Sequence, residues 1–229
     1  FHMNSFFEEL QLFLKHFPDY KELNTIDKIR KKSQVLYLGL DLTRFSAKKI
    51  KKNKEAIIVW NHRWEYDKNP ELFFKTLKNI KNDGYKFKLA VLGENFSKSP
   101  SIFNKAKIMF ESEIVHWGFC DSFIEYEKWL LKADILPVTS NQEFFGVSVV
   151  EAIYCGIWPI LPQRLSYPEL IPMKLHSDHL YRNDDELNVK IKWALKNYKT
   201  IRNSRLDSIV SRFDWKSMAH LYDKTLQLV

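Results

Sequence analysis

The segment ILPVTSNQEFFGVSVVEAIYCGIWPIL, residues 135–161, decides the fold. Its ends are two short apolar runs, 135–140 and 158–161, of the kind that form strands buried on both faces. Between them lies an apolar stretch over 147–155 that is flanked by glycines, which predicts a helix. A strand, a helix and a second strand in this order predict two parallel strands joined by a right-handed crossover.

The same alternation continues on both sides of this segment. Strands are predicted over 57–60, 87–93, 114–117 and, more weakly, 180–182, and helices over 70–83, 101–110, 123–132, 185–198, 201–212 and 216–228. Because single helices separate apolar strands, the sequence predicts an α/β, Rossmann-like, doubly wound parallel sheet. In such a sheet, ligands bind at the carboxyl ends of the strands.

The first residues of the chain are unusually apolar for a short amphipathic helix, with Phe6, Phe7, Leu10 and Phe13 close together. Such a helix needs a partner surface, and we expect the chain to be a piece of a longer one. Residues 35–40 (VLYLGL) predict a short strand or a linker between this helix and the rest of the chain.

The composition excludes some classes of protein. With 229 residues and 45 % hydrophobic composition, the chain can form one sizeable core. The apolar run 144–161 contains Glu151, glycines and a proline, so we expect a buried helix and strand and no stable membrane insertion. Cys120 and Cys155 lack the spacing of a metal site and predict reduced thiols in a cytosolic, cytoplasmic protein.

The formal net charge is +8, and much of it lies in two runs, 28–32 (KIRKK) and 48–54 (KKIKKNK). Either run is consistent with an ordinary solvated surface. Either is also consistent with a patch for a phosphate-rich partner, such as tRNA or an anionic lipid face. The charge alone leaves both interpretations open.

Two cations follow the strand predicted over 57–60. Arg63 comes shortly after Asn61, and Lys68 lies five residues further, before the next helix. A guanidinium and an ammonium in one loop at the ligand edge suit a pyrophosphate. An ordinary charged surface loop is the alternative that this loop by itself does not exclude.

Two glutamates flank the start of the helix predicted over 147–155. Glu143 lies in the preceding loop and Glu151 inside the helix, and Glu151 needs a polar partner because its surroundings are apolar. Gly146 allows close approach to the positive end of this helix, which is suited to a phosphate. Glu143 could then meet a sugar and Glu151 the two hydroxyls of a ribose. A helix-capping acid with a buried ion pair is the alternative.

Another candidate is Trp117-Gly118, at the end of the strand predicted over 114–117. This pair could border a flat base, and a core aromatic with a turn glycine is equally consistent with it. The chain has no Asp-x-Asp, which argues against a metal-bridged diphosphate. It also lacks the GxGxxG, Walker and GxSxG motifs of dinucleotide dehydrogenases, NTPases and α/β-hydrolases.

Several strings resemble one family closely. WNHRWEYDKNPELFF, VLGENF, HWGF, EFFGVSVVEAIYCG and YPELIP are similar to those of the tRNA-queuosine α-mannosyltransferase family, which belongs to the retaining GT-B glycosyltransferases of the family 4 type. The resemblance extends from about residue 1 to 170. It implies that this chain is the C-terminal, donor-binding half of a two-domain GT-B enzyme.

The resemblance also implies a chemistry. The nucleotide-sugar donor would be GDP-mannose, the acceptor queuosine in a tRNA, and mannose would be transferred with retention and without a metal or other cofactor. Arg63 and Lys68 would hold the diphosphate and Glu143 the mannose, as the catalytic residues. The donor-binding residues would be Glu151, Phe144, Phe145, Gly146, Val147, Asn61, Trp117 and Gly118.

The resemblance divides the chain into three parts. Residues 1–42 would be the tail of a missing N-terminal acceptor domain plus the linker, 43–213 the donor domain, and 214–229 a C-terminal helix that crosses back toward the acceptor domain. We expect this chain alone to bind the donor and to transfer little. Two other functions remain open, namely a glycosyltransferase with another nucleotide sugar and a lipid or polysaccharide acceptor, and a non-catalytic basic RNA-binding module.

Overall fold

A computed structural model describes residues 1–45, 50–94 and 99–227 of the chain. Parts of the basic run 48–54, of the VLGENF string and of the last predicted helix lie outside the described residues. The strands are β1 (Ile57–Asn61), β2 (Lys88–Leu92), β3 (Ile114–Trp117), β4 (Ile135–Pro137), β5 (Trp158–Pro162) and β6 (Leu180–Tyr181).

The strands form one parallel six-stranded sheet in the order β3-β2-β1-β4-β5-β6. Ile58 of β1 is in register with Leu89 of β2 on one side and with Ile135 of β4 on the other. The order of the strands reverses between β1 and β4, which opens a crevice at their carboxyl ends. The predicted α/β parallel sheet is therefore confirmed, and its topology places a ligand site between these two strands.

The helices lie on both sides of the sheet. Their bounds are α1 (His2–Lys15), α2 (Leu23–Lys32), α3 (Pro70–Asn82), α4 (Ile102–Met109), α5 (Phe123–Lys132), α6 (Val147–Tyr154), α7 (Tyr167–Leu170), α8 (His176–His179), α9 (Asp184–Lys196), α10 (Tyr198–Ile201), α11 (Asp207–Val210) and α12 (Trp215–Leu226). Short 3₁₀ turns occupy Tyr66–Lys68, Met173–Leu175 and Ser211–Phe213.

Local sequence accounts for where the helices beside the site begin. All of β1 is buried, as its run of large apolar side chains requires. The Asn69 side chain accepts a hydrogen bond from the Leu72 amide and so caps α3, whose first residue is Pro70. The Ser122 side chain caps α5 in the same way, through the Glu125 amide. These caps fix the loops that follow β1 and β3.

The helices differ from the prediction at two places. The sequence predicts no helix over α2, a basic helix in which only Ile26 is buried. It is stabilised by packing on α1, where the Arg30 guanidinium lies 4.5 Å from the centre of the Phe7 ring. The helix predicted over 201–212 is interrupted, since residues 202–206, between α10 and α11, are not helical. Asn203 and Ser204 favour turns over helix, which accounts for the break.

The segment predicted as a strand or linker, 35–40, forms no regular strand, and its last residue, Leu40, pairs in an isolated parallel bridge with Asp214, the N-cap of α12. The Leu40 amide donates to the Phe213 carbonyl, and the Leu40 carbonyl accepts from Trp215. Asp214 adds a second link, since its carboxylate accepts from the amides of both Leu42 and Lys216. The linker and the start of α12 are therefore held together by hydrogen bonds at Leu40 and Leu42.

Candidate functional site

A cleft of about 630 Å³ opens at the carboxyl ends of β1 and β2, where it meets the start of α6. The residues from the sequence-based site that line it are Asn61, Arg63, Lys68, Glu143, Val147 and Glu151. The cleft lies at the reversal of strand order. The fold therefore brings together side chains from two loops and a helix that are up to 90 positions apart in the chain.

Lys68 lies at the base of the cleft, and its side chain is only 10 % exposed. Its Nζ is 3.4 Å from Glu143 Oε2 and 3.2 Å from Asp67 Oδ2, and it donates to the Gln142 carbonyl at 3.1 Å. A buried ammonium is stable only with such partners. The two predicted catalytic residues Lys68 and Glu143 are therefore in contact, and their charges compensate each other.

Arg63 lies at the rim of the same cleft. Its side chain is 57 % exposed, and its Nη2 is 3.0 Å from Glu65 Oε2. An exposed ion pair of this kind contributes little to stability, so the guanidinium can change partners at low cost. The predicted pair of cations thus consists of one buried and one exposed charge on the same cleft.

Helix α6 points its first turn at the cleft. Gly146 precedes it with φ +94°, a left-handed conformation that favours glycine. The positive end of the helix and its free amides attract anions. Glu143 stands next to this helix end and accepts from the Phe144 amide at 3.1 Å. The cleft therefore offers an anion a helix terminus and two cations, with one carboxylate beside them.

Glu151 lies inside α6 and is 6 % exposed. The Tyr126 hydroxyl donates to its Oε2 at 2.7 Å, and the Arg44 guanidinium contacts its Oε1. The prediction that this carboxylate needs a polar partner is confirmed. Its partners come from α5 and from the segment after the linker, respectively.

Some predicted donor-binding residues lie beside the cleft and do not line it. Trp117 packs edge-on against Trp64, with ring centres 5.5 Å apart, in the aromatic cluster under α3 and α4. Phe145 packs on Tyr37 and Phe213, whereas Phe144 is 82 % exposed and stacks on His2. Gly118, with φ +123°, has nothing within 4 Å of an added Cβ. The donor-binding role of these residues stays a prediction.

His62 was not singled out from the sequence, although it stands between Asn61 and Arg63. Its ring is buried, its Nδ1 lies 3.5 Å from Ser148 Oγ, and its Nε2 has no partner. Burial first, and the charge of Lys68 second, lower its pKa to about 3. His62 is therefore neutral near pH 7. Its position at the end of a predicted strand was the only sequence signal.

Tyr126 and Arg44 were also missed. Tyr126 is one tyrosine of a predicted helix, and Arg44 lies in a stretch without periodicity, so neither carried a signal. In the structure the Arg44 guanidinium lies 4.5 Å from the centre of the Phe123 ring, next to Glu151. Only their contacts with the Glu151 carboxylate reveal that both residues belong to the site.

One group of side chains in the described ranges has the composition of a metal site. Ligand atoms of His116, Cys120 and Glu125 lie within 4.8 Å of one another at the end of β3. Cys120 Sγ is 3.7 Å from His116 Nε2, and Glu125 Oε1 is 3.8 Å from His116 Nδ1. Burial raises the pKa of the Cys120 thiol to about 11, which favours its protonated form.

No helix in the described ranges of the chain is both long enough and apolar enough to cross a membrane.

Comparison with known sequences identifies the family. The sequence profile of the family "Glycosyl transferases group 1" matches residues 42–207. A second profile, "tRNA-queuosine alpha-mannosyltransferase N-terminal", matches residues 1–40. The chain is 36 % identical over 200 residues to the tRNA-queuosine alpha-mannosyltransferase of Drosophila melanogaster. The match covers 83 % of this chain and 52 % of that protein, so the chain spans about half the length of this relative.

Solved structures support the fold. The Anabaena protein Alr3699/HepE in complex with UDP superposes with a TM-score of 0.69 at 17 % identity, covering 87 % of this chain and 58 % of that one. The C-terminal domain of the group 1 glycosyl transferase LpcC from Francisella tularensis superposes with a TM-score of 0.56 at 16 % identity, covering 80 % and 98 %. The chain therefore belongs to the group 1 glycosyltransferases, and its predicted membership of the tRNA-queuosine α-mannosyltransferase family is confirmed.

Proposed function

We propose that this chain is the donor-binding half of an enzyme that transfers mannose from GDP-mannose to queuosine in tRNA, with retention. The observation that carries the proposal is the 36 % identity to a tRNA-queuosine alpha-mannosyltransferase, over a stretch that includes the whole cleft. The proposed acceptor is queuosine in a tRNA, which favours a cytoplasmic reaction.

The cleft has the charges that a nucleoside diphosphate needs. Lys68, Arg63 and the start of α6 would surround the diphosphate, where they stabilise the negative charge that grows as the bond to the sugar breaks. Glu143 would accept hydrogen bonds from the hydroxyls of the mannose. Because Lys68 contacts Glu143 directly, binding of the diphosphate and placement of the sugar would be coupled.

The ribose would bind at Glu151, whose carboxylate lies between α5 and α6. The acceptor would attack the same face of the sugar from which GDP departs, which preserves the configuration. The base would then lie beyond Glu151, toward Phe119 and Phe123 at the end of the cleft.

Calorimetric titration with GDP, GDP-mannose and UDP-glucose, with and without magnesium, tests the proposal. UDP-glucose is included because the HepE structure contains UDP. We expect GDP and GDP-mannose to bind without magnesium and more tightly than UDP-glucose. If UDP-glucose bound more tightly than GDP and GDP-mannose, the donor would be another nucleotide sugar. If neither the folded chain nor the full-length protein bound any of the three, the proposal would be contradicted.

Arg63→Ala is the informative variant in this titration. We expect it to weaken GDP binding at least tenfold, because a diphosphate loses a bidentate cation. The matched control is Arg182→Ala, which removes another exposed arginine paired with a glutamate, at 2.8 Å, away from the cleft. Both variants should unfold like the unaltered chain, since exposed ion pairs contribute at most about 1 kcal/mol.

A further inference from the structure

Tyr126 connects the end of β1 to the carboxylate of Glu151 through a partly buried chain of hydrogen bonds. Asn61 Nδ2 lies 3.1 Å from the Tyr126 hydroxyl oxygen and 2.9 Å from the Ser148 carbonyl. The Tyr126 hydroxyl lies 2.7 Å from Glu151 Oε2. The chain of bonds thus joins β1, α5 and α6 at one end of the cleft.

The direction of every proton in this chain is determined. The Ser148 carbonyl can only accept, so the Asn61 atom that faces it must be the amide nitrogen. The same nitrogen faces the Tyr126 oxygen and donates to it. The hydroxyl proton of Tyr126 therefore points at Glu151, and the hydroxyl serves Glu151 as a fixed donor.

We propose that Tyr126 is a positioning residue of the ribose site, which holds the Glu151 carboxylate in the orientation that receives the two ribose hydroxyls. A carboxylate has about four lone-pair sites. Tyr126 takes one on Oε2, and Arg44 takes one on Oε1. The two that are left match a cis diol. This inference rests on the proposed function, because it assumes that a nucleotide binds in this cleft.

Glu151 is 6 % exposed but lines the cleft, so only water within the cleft could replace a hydrogen-bond donor that is lost at its carboxylate. Burial, and then the negative charge of Glu151, raise the pKa of Tyr126 well above 10, so the hydroxyl keeps its proton at neutral pH. Without it, the carboxylate would have Arg44 alone and could rotate about its last bond.

Tyr126→Phe tests this role, because it removes the hydroxyl and keeps the ring that packs near Phe45 and Phe123. The affinity of the chain is measured for GDP and for 2′,3′-dideoxy-GDP, which lacks both hydroxyls. We expect the variant to bind GDP about five- to tenfold more weakly. We expect its affinity for the dideoxy analogue to change less than about twofold.

Tyr181→Phe is the matched control. It removes another buried tyrosine hydroxyl, which donates to the Val138 carbonyl at 2.8 Å and does not line the cleft. It should leave the ratio of the two affinities unchanged. A merely structural effect of Tyr126→Phe would lower the affinities for GDP and for the dideoxy analogue equally. Such an equal loss, or no change in either affinity, would overturn the inference, while the proposed function would stand. If neither the unaltered chain nor the full-length protein bound either ligand, the proposed function would fail first, and the inference with it.

Discussion

The sequence predicts where single residues of the cleft lie, but it does not predict how deeply they are buried. The sequence places Lys68 before a helix and Glu143 before another, which is enough to expect both at the ligand edge. It does not reveal that Lys68 is almost fully buried and in contact with both Glu143 and Asp67. The reason is that burial depends on the loop after β4 folding over the loop after β1, and these are about 75 positions apart.

Lys68→Ala is expected to weaken GDP binding more than about tenfold, because it removes a buried cation from the diphosphate site and leaves Glu143 without its cationic partner. Calorimetry of the variant checks this. Lys75→Ala is the control, since Lys75 is 70 % exposed and pairs with Asp184 on the surface, and it should bind GDP like the unaltered chain. Equal losses in both variants would show that only net charge matters.

His62 is expected to make stability depend on pH. Its pKa is about 3 in the fold and about 6.5 in the unfolded chain, so the unfolded chain takes up the proton first. Above pH 6.5, His62 is neutral in the folded and in the unfolded chain, and the fold keeps its full stability. As the pH falls from 6.5 toward 3, only the unfolded chain binds a proton at His62, so the free energy of unfolding decreases. Between pH 6.5 and pH 5 the loss is about 2 kcal/mol.

Urea unfolding at pH 7 and pH 5 measures this loss, and His62→Gln should reduce it markedly, because glutamine does not titrate. Some dependence on pH should persist, since burial also lowers the pKa of His179. If His62→Gln and the unaltered chain lost the same free energy of unfolding between pH 7 and pH 5, His62 would be excluded as the source of the loss.

Among the secondary-structure elements, a close contact with the loop after β2 fixes the loop after β1. Gly93 has φ +108°, and a Cβ added to it would lie 2.0 Å from the His62 carbonyl oxygen. The sequence predicts a strand that ends at this glycine, and only the packed pair of loops shows why no side chain fits there. The close contact holds the backbone of His62 and Arg63 at the cleft.

Gly93→Ala is therefore expected to destabilise the fold much more than Gly118→Ala. Both glycines have positive φ, but nothing lies within 4 Å of a Cβ added to Gly118. Strain of the backbone alone costs about 1–3 kcal/mol, and the clash at Gly93 should add several more. Urea unfolding of the two variants gives the comparison. Equal losses of stability in the two variants would mean that the loop after β2 moves aside for the new Cβ. The close contact between Gly93 and His62 would then not fix the site.

For the whole molecule, the basic side chains of α2 lie away from the cleft. Lys28, Lys31 and Lys32 are exposed and do not line it. If the full-length enzyme binds tRNA, as we propose, these side chains are available to its phosphates. The alternative from the sequence, an ordinary solvated surface, predicts no effect on tRNA binding.

Replacing these three lysines with glutamine is expected to weaken tRNA binding and to reduce the dependence of log affinity on log salt by about 2–3, while GDP binding stays unchanged. Filter binding at several salt concentrations measures the slope. The same change at Lys105, Lys107 and Lys199, which are exposed elsewhere, removes equal charge and is the control. Equal effects of both sets would indicate a non-specific attraction.

The α/β parallel sheet and its ligand edge follow from the sequence, because buried strands and single crossover helices leave few other arrangements. The positions of Arg63, Lys68, Glu143 and Glu151 at that edge follow from the sequence as well. The order of the strands, the pairing of Lys68 with Glu143, and the place of Tyr126 beside Glu151 are evident only in the folded chain. These contacts join side chains that are distant in sequence, and no local pattern of residues encodes them.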